Sequence, residues 1–320
     1  MISNQATIKN KKILIAEISG KRPGTSAARP TEKFNYDFDK VIISNNADGY
    51  TTDWKVVLVP EDYQKWYKEN IAISSKAFYA PMNRSYAIKY AREHGYDYLI
   101  QLDDNIVSFA ICFCTKDQSG VFRTLKTTKN IKNVQNDMFK YLVDVMENTN
   151  AVMGGMTLTG ASLPNHMWLS ERYVYSAFIL DLKKCPDYFQ GDFEDDIEYR
   201  LKITQMGLPT VQVVPFQYSK TSQGCGKKED LSGNRKAYSD VGLDRGKHMS
   251  ILYGDIYSRG WSSRGSGVAR KNGKKAFRHK IKPIKVGLLI KNKKYLSFEM
   301  KKIFDKYTTF VSNKIKYTQK

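Results

Sequence analysis

The chain has 320 residues and a formal net charge of +20, and 41% of its residues are hydrophobic, which is enough to bury a sizeable core. It contains no apolar run of membrane-spanning length, and Lys9, Lys11 and Lys12 interrupt the stretch where a secretory signal needs its apolar region. Four cysteines are present, at Cys112, Cys114, Cys185 and Cys225. Their spacing matches neither a zinc site nor a dense disulfide framework, so we expect a folded protein of a reducing cytoplasm.

Most of the net positive charge lies in the last fifth of the chain. From Arg259 to Lys320, nineteen Lys and Arg residues stand against two acidic residues, a net charge of +17. Such a block attracts a polyanion, either nucleic acid or an anionic membrane surface, although a solvated tail is the simpler alternative. Apolar stretches such as Tyr295–Phe298 indicate that the segment folds, and aromatic residues interleaved with lysines favour nucleic acid. The candidate nucleic-acid-binding side chains are Arg259, Arg264, Arg270, Lys271, Lys274 and Lys275.

The first part of the chain alternates short apolar runs with helical patterns. Lys12–Ile18, Lys40–Ser44 and Trp54–Val59 predict strands, and Asp62–Asn70 predicts a helix. This alternation is typical of a doubly wound α/β fold, with a mainly parallel sheet flanked by helices.

Two early segments suit a phosphate-bearing ligand. The loop after the first strand is rich in glycine and basic residues, so Ser19 and Arg22 are candidate ligand-binding residues, although the loop is not a Walker sequence. A helix is predicted from Pro81 to Gly95, with Asn83 and Arg84 in its first turn. A cation is unfavourable at a helix N-terminus, so Arg84 there fits best if it faces an anion such as a diphosphate. A surface arginine is the simpler alternative.

The stretch from Tyr98 to Ile106 is an apolar run that ends abruptly in polar residues. Asp103, Asp104 and Asn105 follow the predicted strand at its carboxyl end, where open α/β sheets bind ligands. Two adjacent carboxylates repel each other unless they share a positive charge, and a divalent cation with oxygen ligands is the natural candidate. The alternative is a plain strand-ending turn, since Asp and Asn are common turn formers.

The run from Asn83 through Asn105 resembles the nucleotide-sugar domain of GT-A glycosyltransferases, whose acidic DxD motif ends a strand. The resemblance implies a GT-A-like, Rossmann-like fold and a nucleotide-sugar donor, in the first place a UDP-sugar. It implies that Asp103, Asp104 and Asn105 hold Mn²⁺ or Mg²⁺ against the diphosphate of the donor, with Asp103 also a donor-binding residue beside Ser19, Arg22, Asn83 and Arg84. An amide at the third position can ligate a hard cation but adds no charge.

A pair of glycines follows the next apolar run. Ala151–Met153 predicts a strand that ends in Gly154 and Gly155. The resemblance makes these glycines a loop where donor and acceptor approach each other, and a simple strand turn is the alternative.

The segment from Gly191 to Leu201 is the second acidic cluster. Its periodicity predicts a helix whose N-terminus carries Asp192, Glu194, Asp195 and Asp196. Capping by Asp192 and the helix dipole would explain one or two of these acids, but four exceed that need. The resemblance makes this the xED motif, in which Asp195, with Glu194 second, removes the proton from the acceptor hydroxyl as in inverting enzymes.

Thr210–Val214 predicts a strand that ends at Pro215. Ser219–Gly246 is rich in glycine and is expected to be a lid that orders on substrate binding. His248 closes this segment. Because many GT-A enzymes complete the metal site with a histidine after xED, the resemblance makes His248 a metal ligand and His279 a weaker candidate.

The combination of Tyr98–Ile106, Phe193–Lys202 and Arg245–His248 with a basic C-terminal segment is similar to the TET-associated glycosyltransferases of bacteriophages. That family glycosylates hydroxymethylated pyrimidines in DNA. The resemblance implies a glycosyltransferase domain over residues 1–256 and a basic, nucleic-acid-binding extension over residues 257–320.

The expected partners are therefore a nucleotide sugar and modified, double-stranded DNA, bound mainly through phosphates with the target base flipped or otherwise exposed. No membrane and no obligate protein partner is expected, and a phage-encoded enzyme would act in the host cytoplasm. One alternative is a glycosyltransferase for a surface polysaccharide. Another is a catalytically inactive DNA-binding module.

Overall fold

The computed structural model describes residues 11–20, 24, 28–46, 48–73, 78–116, 122–126, 133–159, 168–172, 174–192, 194–221, 244, 246–262, 276–282 and 284–318. Within them, ten strands form one sheet: β1 (Ile13–Ile18), β2 (Asp39–Ser44), β3 (Lys55–Leu58), β4 (Tyr98–Asp103), β5 (Ile106–Lys116), β6 (Phe122–Lys126), β7 (Met153–Leu158), β8 (Leu169–Ser170), β9 (Ala177–Asp181) and β10 (Thr210–Lys220). A separate antiparallel ribbon consists of β11 (Tyr257–Ser262) and β12 (Ala276–Ile281). The helices are α1 (Glu61–Asn70), α2 (Tyr79–Glu93), α3 (Val134–Glu147), α4 (Asp195–Gln205), α5 (Lys247–Leu252) and α6 (Lys293–Thr318).

The strand order of the large sheet is β3-β2-β1-β4-β9-β7-β10-β5-β6, with β8 paired to β10. Strands β1 to β4 are parallel to one another, and β9, β5 and β6 run antiparallel to their neighbours. In the register of β1, Ile18 pairs with Ile43 and with Asp103. The carboxyl ends of β1, β2 and β4 therefore meet at one edge of the sheet, the usual place for a ligand in this kind of fold.

Apolar side chains cover both faces of the sheet. Ile13 and Ile15 of β1 belong to a cluster with α3 and α6, whereas Leu14 and Ala16 belong to a cluster with α1 and α2. This division follows from the period-2 alternation of a strand that is buried on both sides. The expected fold class, an α/β fold with helices flanking a large sheet, is confirmed. None of the described helices is both long and apolar enough to cross a membrane.

Strand β10 is longer than predicted. The prediction ended it at Pro215, but it continues to Lys220, with a shift in its register against β7 between Val213 and Gln217. Proline cannot donate a hydrogen bond to a neighbouring strand, and it is tolerated here because it lies at the irregularity. The extension brings Lys220 to the carboxyl end of β4.

Part of the basic C-terminal segment packs onto the sheet domain. Leu296 and Met300 of α6 are buried, and the hydroxyl of Tyr141 donates to the carbonyl of Leu296 at 3.0 Å. The hydroxyl of Tyr295 donates to Oδ1 of Asp144 at 3.0 Å. These contacts join α6 to α3, and the domain boundary at residue 256 stays a prediction.

Candidate active site

Arg84 connects the two acidic clusters. Helix α2 begins at Tyr79, two residues before the predicted start, so Arg84 lies in its second turn and not in its first. The side chain is almost fully buried: its Nε donates to Oδ2 of Asp195, and its Nη2 donates to Oδ1 of Asp103 at 2.5 Å. Its Nη1 donates to Gln101 at 3.3 Å. One guanidinium thus holds the carboxylates that end β4 and begin α4.

Lys220 is the second cation of the site. Its Nζ donates to Oδ2 of Asp103 at 2.6 Å and to Oγ of Ser176 at 2.8 Å. Burial alone would raise the pKa of Asp103, but the charges of Lys220 and Arg84 outweigh it and hold that pKa well below its usual range. Sequence reasoning missed Lys220 because it ended β10 at Pro215. The run of strand-forming residues beyond the proline was the available signal.

The acids at the start of α4 are not used to cap it. The N-cap residue is Glu194, which makes no side-chain capping bond, so the alternative of Asp192 as the cap is wrong. Asp195 is buried, and burial raises its pKa to about 7 against the opposing charge of Arg84. Burial raises the pKa of Asp196 as well, and its Oδ1 accepts from the backbone N–H of Ile197 at 2.8 Å. A carboxylate whose pKa lies near neutrality is suited to accept and release a proton.

A hydrogen-bond cluster lies at the carboxyl ends of β1, β2 and β4. The hydroxyl of Ser19 donates to Oδ2 of Asp104 at 3.1 Å, and Nδ2 of Asn83 donates to the carbonyl of Ser19 at 3.0 Å and to Oδ1 of Asn45 at 3.2 Å. The Oδ1 atom of Asn83 is buried and has no hydrogen-bond partner among the described residues. The structure thus brings Ser19, Asn83 and Asp104 together, three of the residues expected to contact the donor or its metal. Arg22 lies outside the described residues.

His248 and Asn105 each present an atom suited to a metal. His248, in α5, has Nδ1 at 3.1 Å from Oδ2 of Asp192. Because the carboxylate accepts, Nδ1 donates, and in the neutral imidazole Nε2 then keeps its lone pair. That Nε2 and the Oδ1 of Asn105 are buried, and neither has a partner within the described part of the chain. A histidine whose other nitrogen is held by a carboxylate is the usual arrangement for a metal ligand.

The side-chain atoms that could bind a metal ion make up only part of a metal site. Within the described ranges, no three His, Cys, Asp or Glu side chains are grouped closely enough to hold a metal ion. Both oxygens of Asp103 already accept from cationic groups, so its use as a ligand would require Lys220 or Arg84 to move. Mg²⁺ is commonly held by one or two protein groups together with phosphate oxygens of the substrate. Asn105 and His248 each offer one atom that could serve as such a protein group.

His279, the weaker candidate for a metal ligand, contacts Tyr257 and Glu194. Its Nε2 lies 2.9 Å from Oε1 of Glu194, and its Nδ1 lies 2.8 Å from the hydroxyl of Tyr257. Glu194, predicted as the second catalytic acid, is therefore held by a histidine of the C-terminal segment. Arg259 forms an ion pair with Asp244, at 2.7 Å between Nη2 and Oδ2. The other candidate nucleic-acid-binding residues, Arg264, Arg270, Lys271, Lys274 and Lys275, lie outside the described residues, as does most of the expected lid.

Gly154 and Gly155 lie inside β7, so the predicted loop at these positions is wrong. A Cβ on Gly154 would lie 2.9 Å from the sulfur of Met146, and one on Gly155 would lie 2.8 Å from the Cβ of Val174. The space on these sides is filled by the core, and close packing against α3 and β9 accounts for both glycines.

The sequence profile of the TET-associated glycosyltransferase family matches residues 46–227, more than half of the chain. No curated protein sequence gives a match. Among solved structures, glucosyl-3-phosphoglycerate synthase from Mycobacterium tuberculosis, in complex with Mg²⁺ and UDP, is similar with a TM-score of 0.42 and 10% identity, over 90% of this chain and 93% of that one. A protein described as a "putative nucleotide-diphospho-sugar transferase" from Desulfovibrio desulfuricans G20 gives a TM-score of 0.38 and 10% identity, over 76% of this chain and 98% of that one.

The matched range includes the acidic stretch after β4, the start of α4 and Lys220, so it spans the charged residues that Arg84 brings together. The chain belongs to the TET-associated glycosyltransferase family and is a glycosyltransferase.

Proposed function

We propose that this enzyme transfers a sugar from a nucleotide sugar, a UDP-sugar in the first place, to the hydroxyl of a hydroxymethylated pyrimidine in DNA. The observation that supports the proposal best is the Arg84 bridge, because it brings the acid after β4 and the acid that begins α4 into one site. Transfer requires that the group activating the acceptor hydroxyl and the groups stabilising the departing diphosphate lie within a few ångströms of the reacting bond. The family match supports DNA modification as the setting, and the positive charge of the C-terminal segment agrees with a DNA acceptor.

The donor occupies the edge where β1, β2 and β4 end. Ser19, Asn83 and Asp104 supply hydrogen-bonding groups for the nucleotide. Arg84 and Lys220 carry positive charge next to Asp103 and orient the diphosphate. Mn²⁺ or Mg²⁺ would be held by Asn105 and His248, and the bound cation supplies charge that stabilises the departing diphosphate.

The acceptor hydroxyl is activated at the start of α4. Asp195 takes the hydroxyl proton while the oxygen forms a bond to the anomeric carbon, and the bond from that carbon to the diphosphate breaks with inversion. The raised pKa of Asp195, about 7, suits a base that works near neutral pH. Asp196 is the second candidate for the general base, because it is less buried than Asp195 and lies one residue further along the same turn.

Incubation with duplex DNA tests the acceptor. Hydroxymethylated and unmodified duplexes of one sequence are incubated with a panel of nucleotide sugars and a divalent cation. The mass of the DNA is then measured by mass spectrometry. We expect a mass increase of one sugar per modified base in the hydroxymethylated duplex alone. Transfer to oligosaccharide with none to either duplex would overturn the DNA acceptor.

Substitution of the acids tests the base. We expect Asp195→Asn to lower the transfer rate by about 10²- to 10⁴-fold while DNA affinity stays within about twofold. Asp196→Asn is the matched control, with the same change of charge one residue away. A full loss with Asp196→Asn and a small loss with Asp195→Asn would move the role to Asp196. Unchanged turnover in both variants would contradict general-base catalysis from this helix.

A further inference from the structure

The β11–β12 ribbon has two chemically different faces. Directly paired residues share a face, so Tyr257 and Ile281 lie on one side with Arg259 and His279, and Ser258 lies opposite them with Lys280. Exposure alternates in the same way: Ser258 and Lys280 are exposed, whereas Tyr257 is buried. The ribbon therefore has an inner face packed on the enzyme and an outer face in solvent.

The outer face is a row of cations. Arg278, Lys280 and Lys282 are all exposed and lie at every second position of β12 and its continuation. Beyond the strand, the N–H of Lys282 donates to the carbonyl of the buried Ile256 at 2.9 Å, so the two chain segments are still hydrogen-bonded at this point. Neighbours in such a row are about 6.6 Å apart. Their partners on β11 are small, Ser258 and Gly260, and Nζ of Lys280 would lie 3.4 Å from a Cβ placed on Gly260, so the ammonium group extends over the glycine.

The inner face joins this row to the start of α4. The hydroxyl of Tyr257 lies 2.8 Å from Nδ1 of His279, and Nε2 of His279 lies 2.9 Å from Oε1 of Glu194. A carboxylate can only accept when ionised, so Nε2 donates to Glu194, and in the neutral imidazole the tyrosine hydroxyl donates to Nδ1. Glu194 directly precedes Asp195. The ribbon is thus tied to the residue beside the proposed base.

We propose that the outer face of the β11–β12 ribbon binds the phosphate backbone of the acceptor DNA, and that the Tyr257–His279–Glu194 chain holds this face in register with Asp195. This inference rests on the proposed function. A linear row of cations beside small residues matches the regular charges of a nucleic-acid backbone, and the link to α4 would place a bound duplex where its modified base can reach the catalytic acids. Tyr257 and His279 are positioning residues, since they act through Glu194.

The test is the salt dependence of DNA binding. The triple variant Arg278→Ala, Lys280→Ala, Lys282→Ala is compared with the wild type by fluorescence anisotropy on one duplex at several salt concentrations. We expect the slope of log affinity against log salt to fall by about 2.7 and affinity to fall at least about tenfold at the lowest salt. The matched control removes three exposed lysines of α1 and α2, Lys65, Lys68 and Lys89, and should keep the wild-type slope.

The outcomes distinguish DNA binding by the ribbon from binding to a membrane surface and from failure of the proposed function. An unchanged slope in the ribbon variant, with thermal unfolding like the wild type, overturns the inference even if the enzyme modifies DNA. Loss of binding to anionic phospholipid vesicles with unchanged DNA binding overturns it in favour of a membrane surface. A variant Arg278→Lys, Lys280→Arg keeps the charge and should bind as the wild type does. If the proposed function is wrong, the wild-type enzyme itself leaves hydroxymethylated DNA unmodified.

Tyr257→Phe tests the link to the catalytic helix. The variant keeps the ring and removes the hydroxyl that contacts His279. We expect KM for duplex DNA to rise severalfold while the slow hydrolysis of the nucleotide sugar without acceptor keeps its rate. Equal losses in both reactions would indicate a merely structural role and contradict the positioning one.

Discussion

Lys220 and Asp103 form an ion pair of 2.6 Å between the ends of two strands that are not neighbours in the sheet. The pair exists because β10 continues through Pro215 and delivers a lysine to the carboxyl end of β4. Together with Arg84 it leaves Asp103 with a cation on each oxygen. The centre of the site is therefore a fixed arrangement of charges and not an open pair of carboxylates.

The first prediction concerns Lys220. Lys220→Met removes a positive charge next to the diphosphate, so we expect kcat/KM for the nucleotide sugar to fall by about 10²-fold, a loss of about 2.7 kcal/mol of transition-state stabilisation. Initial rates over a range of donor concentrations measure this loss. Lys220→Arg is the control that keeps the charge and should retain more activity than the methionine variant. Equal donor kinetics in all three enzymes would remove Lys220 from the donor site.

The second prediction concerns Arg84. Arg84→Ala leaves two buried carboxylates without their shared partner, and we expect the free energy of unfolding to fall by about 3–5 kcal/mol at pH 8. In the variant the pKa values of Asp103 and Asp195 in the folded state rise, so protonation relieves the penalty and the loss becomes smaller as the pH falls towards 5. Urea unfolding at pH 5 and pH 8 measures the change. The same loss at both values would show that the carboxylates do not cause it.

The third prediction concerns the proposed metal ligand. Nε2 of His248 is buried and without a partner among the described residues, and Nδ1 is held by Asp192. We expect His248→Ala to abolish measurable Mn²⁺ binding in the presence of UDP, and Asp192→Asn to weaken it by about 10- to 100-fold. Titration calorimetry with Mn²⁺ checks both variants. His94→Ala, at the end of α2, is the control and should bind as the wild type. Unchanged Mn²⁺ affinity in His248→Ala would exclude this ligand.

The fourth prediction concerns Asp144, where α6 packs on α3. Burial raises its pKa to about 6, and Tyr295 donates to the carboxylate. A carboxyl whose pKa is higher in the folded state binds more protons there, so its contribution to stability is lost as the pH rises from about 4 to 6. Over that range we expect the wild type to lose up to about 3 kcal/mol more stability than Asp144→Asn loses, because other buried acids such as Asp195 titrate in both proteins. Unfolding free energies at pH 4 and pH 7.5 measure this, and parallel curves for the two proteins would contradict it.

Some errors of prediction share one physical cause. Pro215 and the pair Gly154–Gly155 are strong local signals for ending a strand, yet β10 and β7 pass through them. A proline is tolerated where the register is irregular, and a glycine is required where the opposite layer leaves no room for a side chain. Neither condition is visible in the neighbouring residues of the chain. Helix α2 also begins two residues before its predicted start, and its Arg84 pairs with two acids that are distant in sequence.

By itself the sequence determined which kinds of secondary-structure element form, the acidic residues after β4 and at the start of α4, and the family. Each of these depends on residues close together in the chain, in apolar runs, helical periods and short motifs. Only the tertiary structure decided that Arg84 and Lys220 share Asp103, that His248 pairs with Asp192, and that His279 contacts Glu194. Those pairs join segments far apart in sequence, and their geometry depends on how the whole sheet and its helices pack.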